Sequence, residues 1–229
     1  NNISDISILT QLASLQGLST GRNPIIDLSV VSQIPNLNSL ALVGLGLENS
    51  DILFLGENTK IQTIWLNQNN ITDLTTLASM VYLNSLDFSN NLITDLSPLQ
   101  NLSYLTGIWG YSNQITSLEP LQYLANLSAL FMGGNQITDL SPLASLTQIS
   151  HLECSSNQIS NILPLAALPN LQWVSVSNND IQDILPLVNN TGIDSGDYVD
   201  ISFNFLDLTP DGTDMTNIAL LLERGVDLA

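Results

Sequence analysis

The sequence predicts an α/β solenoid, a coil of similar turns that each add one short strand to a single parallel sheet. Three observations carry this expectation. A motif L-x-x-L-x-L-x-x-N-x-I-x-x-L recurs along the chain, with its asparagine position at Asn1, Asn23, Leu45, Asn69, Asn91, Asn113, Asn135, Asn157, Asn179 and Asn204. The intervals between these positions are 22, 22, 24, 22, 22, 22, 22, 22 and 25 residues. The residue two places later is always Ile or Leu, from Ile3 and Ile25 to Ile181 and Leu206, and forms one apolar column.

Within each turn the L-x-L segment reads as a strand whose side chains alternate between two faces. Nine such strands are expected. The residues five before the asparagine position point inward: Leu18, Leu40, Ile64, Leu86, Ile108, Leu130, Leu152, Val174 and Val199. Those three before it share that phase: Thr20, Leu42, Leu66, Phe88, Gly110, Met132, Cys154, Val176 and Ile201. Phe88 is expected to fill the space left by Gly110 in the next turn, because interiors tolerate few voids. Each asparagine amide both donates and accepts where the chain turns inward. Replacing Asn113 or Asn135 with alanine should therefore cost about 1 to 3 kcal/mol. Leu45 has no amide, and its turn is longer, so the chain there should follow a different path. Ser97-Pro98 and Ser141-Pro142 mark starts of short helical turns on the opposite side of the coil.

Composition bounds the function. A 229-residue chain that is 44% hydrophobic can bury a core. Its 21 acidic residues face only Arg22, Lys60 and Arg224, a net charge of −18 that repels phosphate backbones and anionic lipid. No nucleic acid is expected as partner, and no stretch has the length of a membrane-inserting helix. Cys154 is the sole cysteine, so no intramolecular disulfide forms. Asp5, Asp27, Asp73, Asp95, Asp139 and Asp183 lie four residues past the asparagine position, a column interrupted by Ser117 and Asn161. Carboxylates there serve turn amides better than a calcium ladder. "GIDSGDYVD", with Asp194, Asp197 and Asp200, reads as an insertion loop, and no metal or cofactor is expected. From about Pro210 the period stops, and "MTNIALLLERGVDLA" reads as an amphipathic helix ending at Arg224 and Gly225. The expected division is a repeat array over 1–209 and a C-terminal cap over 210–229 that shields the last turn. No equivalent cap is evident before Asn1, which implies a trimmed chain or further preceding repeats.

The motif resembles the leucine-rich repeat, and the 22-residue period with the tail "ITDLSPL" resembles the internalin-like class of bacterial surface proteins. The resemblance covers essentially the whole chain. It implies a right-handed superhelix with the parallel sheet on its concave side and short 3-10 or irregular turns on its convex side. It also implies ligand binding on the concave face, and an extracellular or cell-surface location within a longer protein.

Specificity then falls to the outward strand positions, six, four and two before each asparagine. Trp65, Trp109 and Trp173, all three tryptophans, take outward positions. Buried placement is the norm for so large a ring, and exposed aromatic clusters mark binding surfaces. Trp109, Tyr111, Phe131, His151, Glu153 and Trp173 fall on four adjacent strands within roughly 15 Å, flanked by Trp65 and Tyr198, with Asp87 in the same columns. Mutual shielding of rings also stabilises a sheet, yet it does not explain placing every tryptophan outside the core. A monomeric, non-catalytic module that recognises a protein is expected, since Trp and Tyr anchor protein interfaces. A glycan ligand is the alternative, with rings stacking on sugars and Asp87, Glu153, Asn67 and Gln68 binding hydroxyls. A spacer within a larger surface protein is the third reading. Catalysis is disfavoured: His151 and Glu153 share a face, but the odd offset of Cys154 turns its thiol into the core.

Overall fold

The computed structural model describes residues 2–229. Its sheet runs β1 (Gly17–Ser19), β2 (Ser39–Ala41), β3 (Thr63–Trp65), β4 (Ser85–Asp87), β5 (Gly107–Trp109), β6 (Ala129–Phe131), β7 (His151–Glu153), β8 (Trp173–Ser175), β9 (Tyr198–Asp200) and β10 (Asp227–Leu228). All neighbours are parallel and lie in chain order. Because one strand arises per repeat, residues at equal repeat positions become partners: Leu86 pairs Ile108, which pairs Leu130. The sheet contains ten strands among the described residues, one more than the sequence suggests. The extra strand, β10, follows the C-terminal helix, and its Asp227 pairs Tyr198. Two residues are too few to show a strand alternation in sequence.

The inward columns stack as the periodicity requires. From Leu40 to Val199 the position five before the asparagine is buried, and so are all nine residues of the position three before it. Phe88 does fill the space at Gly110. A Cβ added to Gly110 would stand 2.7 Å from Phe88 Cζ and 2.8 Å from Met132 Sδ, so glycine admits the two large neighbours. Cys154 sits wholly buried between Met132 and Val176 in this column, and burial, then the Glu153 charge, push its thiol far above its usual value. It should stay unlabelled by a maleimide over hours in the folded protein and react within minutes in denaturant. Fast labelling of the folded chain would place the strand in the wrong phase.

The asparagine column forms a ladder that ties each repeat to the one before it. Asn113 Nδ2 donates to Gly110 O at 3.2 Å and Tyr111 O at 3.1 Å in its own turn, and to Phe88 O at 3.1 Å in the preceding one. Its Oδ1 accepts Ile93 N at 2.9 Å. Asn91, Asn135, Asn157 and Asn179 repeat the pattern. Where Leu45 replaces the amide, Asn69 Oδ1 takes both Leu45 N at 3.0 Å and Leu47 N at 3.1 Å. Gly44 and Gly46, both at positive φ, permit this path, and a nine-residue 3-10 segment follows, Asn49–Glu57.

The residue just before each asparagine position adopts the left-handed conformation: Arg22, Gly44, Gln68, Asn90, Ser112, Gly134, Ser156, Asn178 and Phe203. Only two of these nine are glycine. The ladder holds the other seven where side chains are normally disfavoured.

The far side of the coil consists of short 3-10 turns such as Ser97–Leu99 and Ser141–Leu143, with one α-helical turn, α1 (Leu185–Asn189). Their starts are capped differently from the Ser-Pro reading. Ser97 and Ser141 are themselves the first turn residues, and the acceptors are Asp95 and Asp139, which take Ser97 N and Ser141 N at 2.8 Å. Asp5, Asp27, Asp73 and Asp183 do the same for Ser7, Ser29, Thr75 and Leu185. Asn161 and Ser117, the interruptions of the column, play the same part for Leu163 and Glu119. The aspartate column is thus a row of turn caps. Serine hydroxyl and then backbone donors hold Asp27, Asp95 and Asp139 below the usual carboxylate range. The stabilisation from these caps is present above the ordinary aspartate pKa and is lost as pH falls through the depressed one.

At the C-terminal end, α2 (Thr213–Glu223) closes the last repeat. Buried Asp214 accepts Ile184 N at 3.2 Å and Asp207 N at 3.0 Å. Arg224 donates to the Asn190 carbonyl at 3.1 Å and to that of Val188, satisfying carbonyls at the end of α1. Gly225, at φ 84°, ends the helix and turns the chain into β10.

Candidate functional site

Alternation within three-residue strands sends two residues of each strand to the exposed face of the sheet, and parallel in-register pairing lines them up. Trp109 on β5 lies beside Phe131 on β6, and Trp173 on β8 lies beside Tyr198 on β9. The Trp109 and Phe131 rings stack at 5.5 Å with planes 9° apart. Tyr111 tilts against Phe131 at 5.9 Å, and Trp173 stacks on Tyr198 at 5.6 Å. Phe131 and Trp173 stand on β6 and β8, yet their centroids are only 6.1 Å apart. Two strand spacings would separate them by about 9.6 Å, so both rings lean together across β7. Five rings thus make one continuous run, Tyr111 and Trp109 to Phe131 to Trp173 to Tyr198.

The two outward residues of β7 differ in exposure. His151 is exposed, with Nδ1 2.9 Å from Ser150 Oγ. Glu153 is only 5% exposed, which corrects the expectation that it offers a contact to a ligand. Its Oε2 accepts Gly133 N at 3.0 Å and its Oε1 accepts Ser155 N at 2.9 Å. Phe131 and Ser175 are its strand neighbours. Burial first, then the Glu153 charge, push the Tyr111 phenol far above its usual value. Glu153 therefore ties its own turn to the preceding repeat. Trp65 is 38% exposed on β3 and is separated from the ring run by half-buried Asp87 on β4.

Two glycines shape this face. A Cβ on Gly107 would lie 2.7 Å from Trp109 Cη2 and Cζ3, so the edge of the six-membered indole ring sits over Gly107. A Cβ on Gly133 would meet the Glu153 carboxylate, with Oε1 at 2.9 Å. The signal available in the sequence was a glycine at an outward position beside a large side chain. Gln68, named with Asn67 for sugar hydroxyls, has its Oε1 3.4 Å from Arg22 Nη2. Asn67 holds its Oδ1 buried without a donor among the described residues.

A family profile described as Leucine Rich repeats (2 copies) matches residues 59–101 and 125–167. A search of curated proteins finds no match. Among solved structures, an internalin (InlF) of Listeria monocytogenes is 31% identical with a TM-score of 0.87, over 100% of this chain and 64% of that one. The chain thus spans just under two thirds of that relative. Internalin C2 of the same organism is 31% identical with a TM-score of 0.62, over 91% of this chain and 77% of that one. A leucine-rich-repeat protein of Leptospira interrogans, 21% identical, shares the fold with a TM-score of 0.80, over 99% of this chain and 63% of that one. Motif, sheet and ladder agree with these likenesses: the chain belongs to the internalin-like family of bacterial leucine-rich-repeat proteins.

Proposed function

We propose that the exposed face of the sheet is the concave face of a non-catalytic binding module and takes a protein partner there. The single observation that supports this most is the continuous run of five aromatic rings at outward positions, where the core has no use for them. Rings held by their neighbours lose little freedom on binding and supply large apolar area, which is how interface anchors work. The glycan reading draws less support, because Glu153 is spent on backbone amides and Gln68 is held by Arg22. Secretion or display on the cell surface fits the family likeness. Among the described residues no helix is long and apolar enough to cross a membrane.

A partner isolated from extracellular host or community extracts provides the test. Trp109→Ala and Trp173→Ala should each weaken its binding by roughly 2 kcal/mol, about 30-fold in Kd, with folding kept. Tyr123, 72% exposed and outside the strands, is the control, and Tyr123→Ala should bind like the parent. Equal binding by the parent and the double tryptophan variant would refute the proposal.

A further inference from the structure

We propose that the trough over Asp87, between Trp65 and Trp109, receives an arginine guanidinium presented by the protein partner. The inference rests on the protein-binding reading of this face and narrows it to the chemistry of one anchor. Trp65, Asp87 and Trp109 are direct partners in register on β3, β4 and β5. Their Cα positions therefore stand two strand spacings apart, about 9.6 Å, with a single short acidic side chain on the strand between. Ser85, the other outward residue of β4, is also small. Phe131 covers one face of the Trp109 ring in a near-parallel stack across the sheet, so the opposite face turns toward β4. Trp65 has no ring partner among the described residues, and its neighbour on β2 is Ala41. This open interval differs from the closed run between Trp109 and Tyr198.

The carboxylate in the trough is fixed and has spare capacity. Asp87 Oδ1 accepts Ser89 N at 2.8 Å, while Oδ2 has no donor among the described residues. Among the described residues no lysine or arginine is hydrogen-bonded to it. Arg22 is turned to Gln68, Arg224 to the carbonyls of Val188 and Asn190, and Lys60 lines a groove with Ala13, Ser14 and Asn36. A half-buried anion between two aromatic faces, in a chain of net charge −18, is complementary to a positive group. Indole faces attract cations through the ring quadrupole. A guanidinium suits the site better than an ammonium, because it is planar, weakly hydrated, and can stack on a ring while donating in its plane to Oδ2.

The three indole N–H resonances make the test direct. The full chain is titrated with acetyl-Gly-Arg-Gly-amide, and separately with the same peptide carrying citrulline, which keeps the planar shape and lacks the charge. The arginine peptide should shift the Trp65 and Trp109 Nε1–H signals saturably and the Trp173 signal less, with the citrulline peptide at least ten-fold weaker. Asp87→Asn keeps the Oδ1 acceptor for Ser89 N, so it should fold normally and lose at least five-fold in affinity for the arginine peptide. Equal binding of the two peptides, shifts confined to Trp173, or an unchanged affinity in Asp87→Asn would each overturn the inference. The isolated partner separates this from the broader reading. If Asp87→Asn binds the partner like the parent while the double tryptophan variant does not, protein recognition stands and the arginine anchor falls. If the double tryptophan variant binds the partner like the parent, the broader reading falls, whatever the peptides do.

Discussion

Asn113→Ala should destabilise the protein by about 3 kcal/mol, the upper end of what the sequence alone suggests. The side chain satisfies the Phe88, Gly110 and Tyr111 carbonyls and the Ile93 amide, and the residue is buried. Alanine removes all of these bonds at once. Each stranded buried group costs about 1 to 3 kcal/mol, and neighbouring carbonyls share part of that cost by relaxing. The left-handed Ser112 beside it loses its restraint as well. In a solenoid this damage is local to an interface between two repeats, so amide hydrogen exchange should rise most from β4 to β6. Equilibrium denaturation checks the magnitude. A parent-like midpoint for Asn113→Ala would show that the ladder contributes nothing. Asn157 makes the same bonds from a half-buried position, and its alanine variant should cost less.

Glu153→Ala should cost a similar amount, about 3 kcal/mol, although the residue occupies an outward strand position. Its two oxygens serve two backbone amides, one in its own turn and one in the preceding repeat. Removal strands Gly133 N and Ser155 N and leaves a void where the buried carboxylate lay. Glu153→Gln keeps one acceptor oxygen and should lose less than alanine. Thermal or urea unfolding measures both, and the near-ultraviolet dichroism of Tyr111 and Trp173 reports the loosening of the rings. A Glu153→Ala protein as stable as its parent would return Glu153 to the role of a ligand contact.

The contrast between Glu153 and Trp109 shows how far strand phase reaches. Both lie four before an asparagine, and the sequence treats them alike. Whether such a residue meets solvent depends on which backbone amides lie within its reach. The Glu153 carboxylate turns onto the Gly133 and Ser155 amides and is buried, whereas Asp87 takes only Ser89 N and stays half-buried. The aspartate column teaches the same about turns: the sequence supplies the acceptors, but their partners appear only when the turn winds back to place an amide two residues ahead.

By itself the sequence determined the repeat, the phase of each strand, the inward columns and the outward placement of every tryptophan. It could do so because a repeat of nearly fixed length makes equal positions neighbours, so spacing along the chain becomes spacing in the sheet. Only the tertiary structure decided the ring run, the burial of Glu153, the strand β10 and the left-handed residue before each asparagine. That last position carries Arg, Gly, Gln, Asn, Ser and Phe, so no local preference marks it. Its conformation is imposed by the asparagine that follows, whose amide must reach carbonyls of two successive turns, and such a requirement exists only once the turns are stacked.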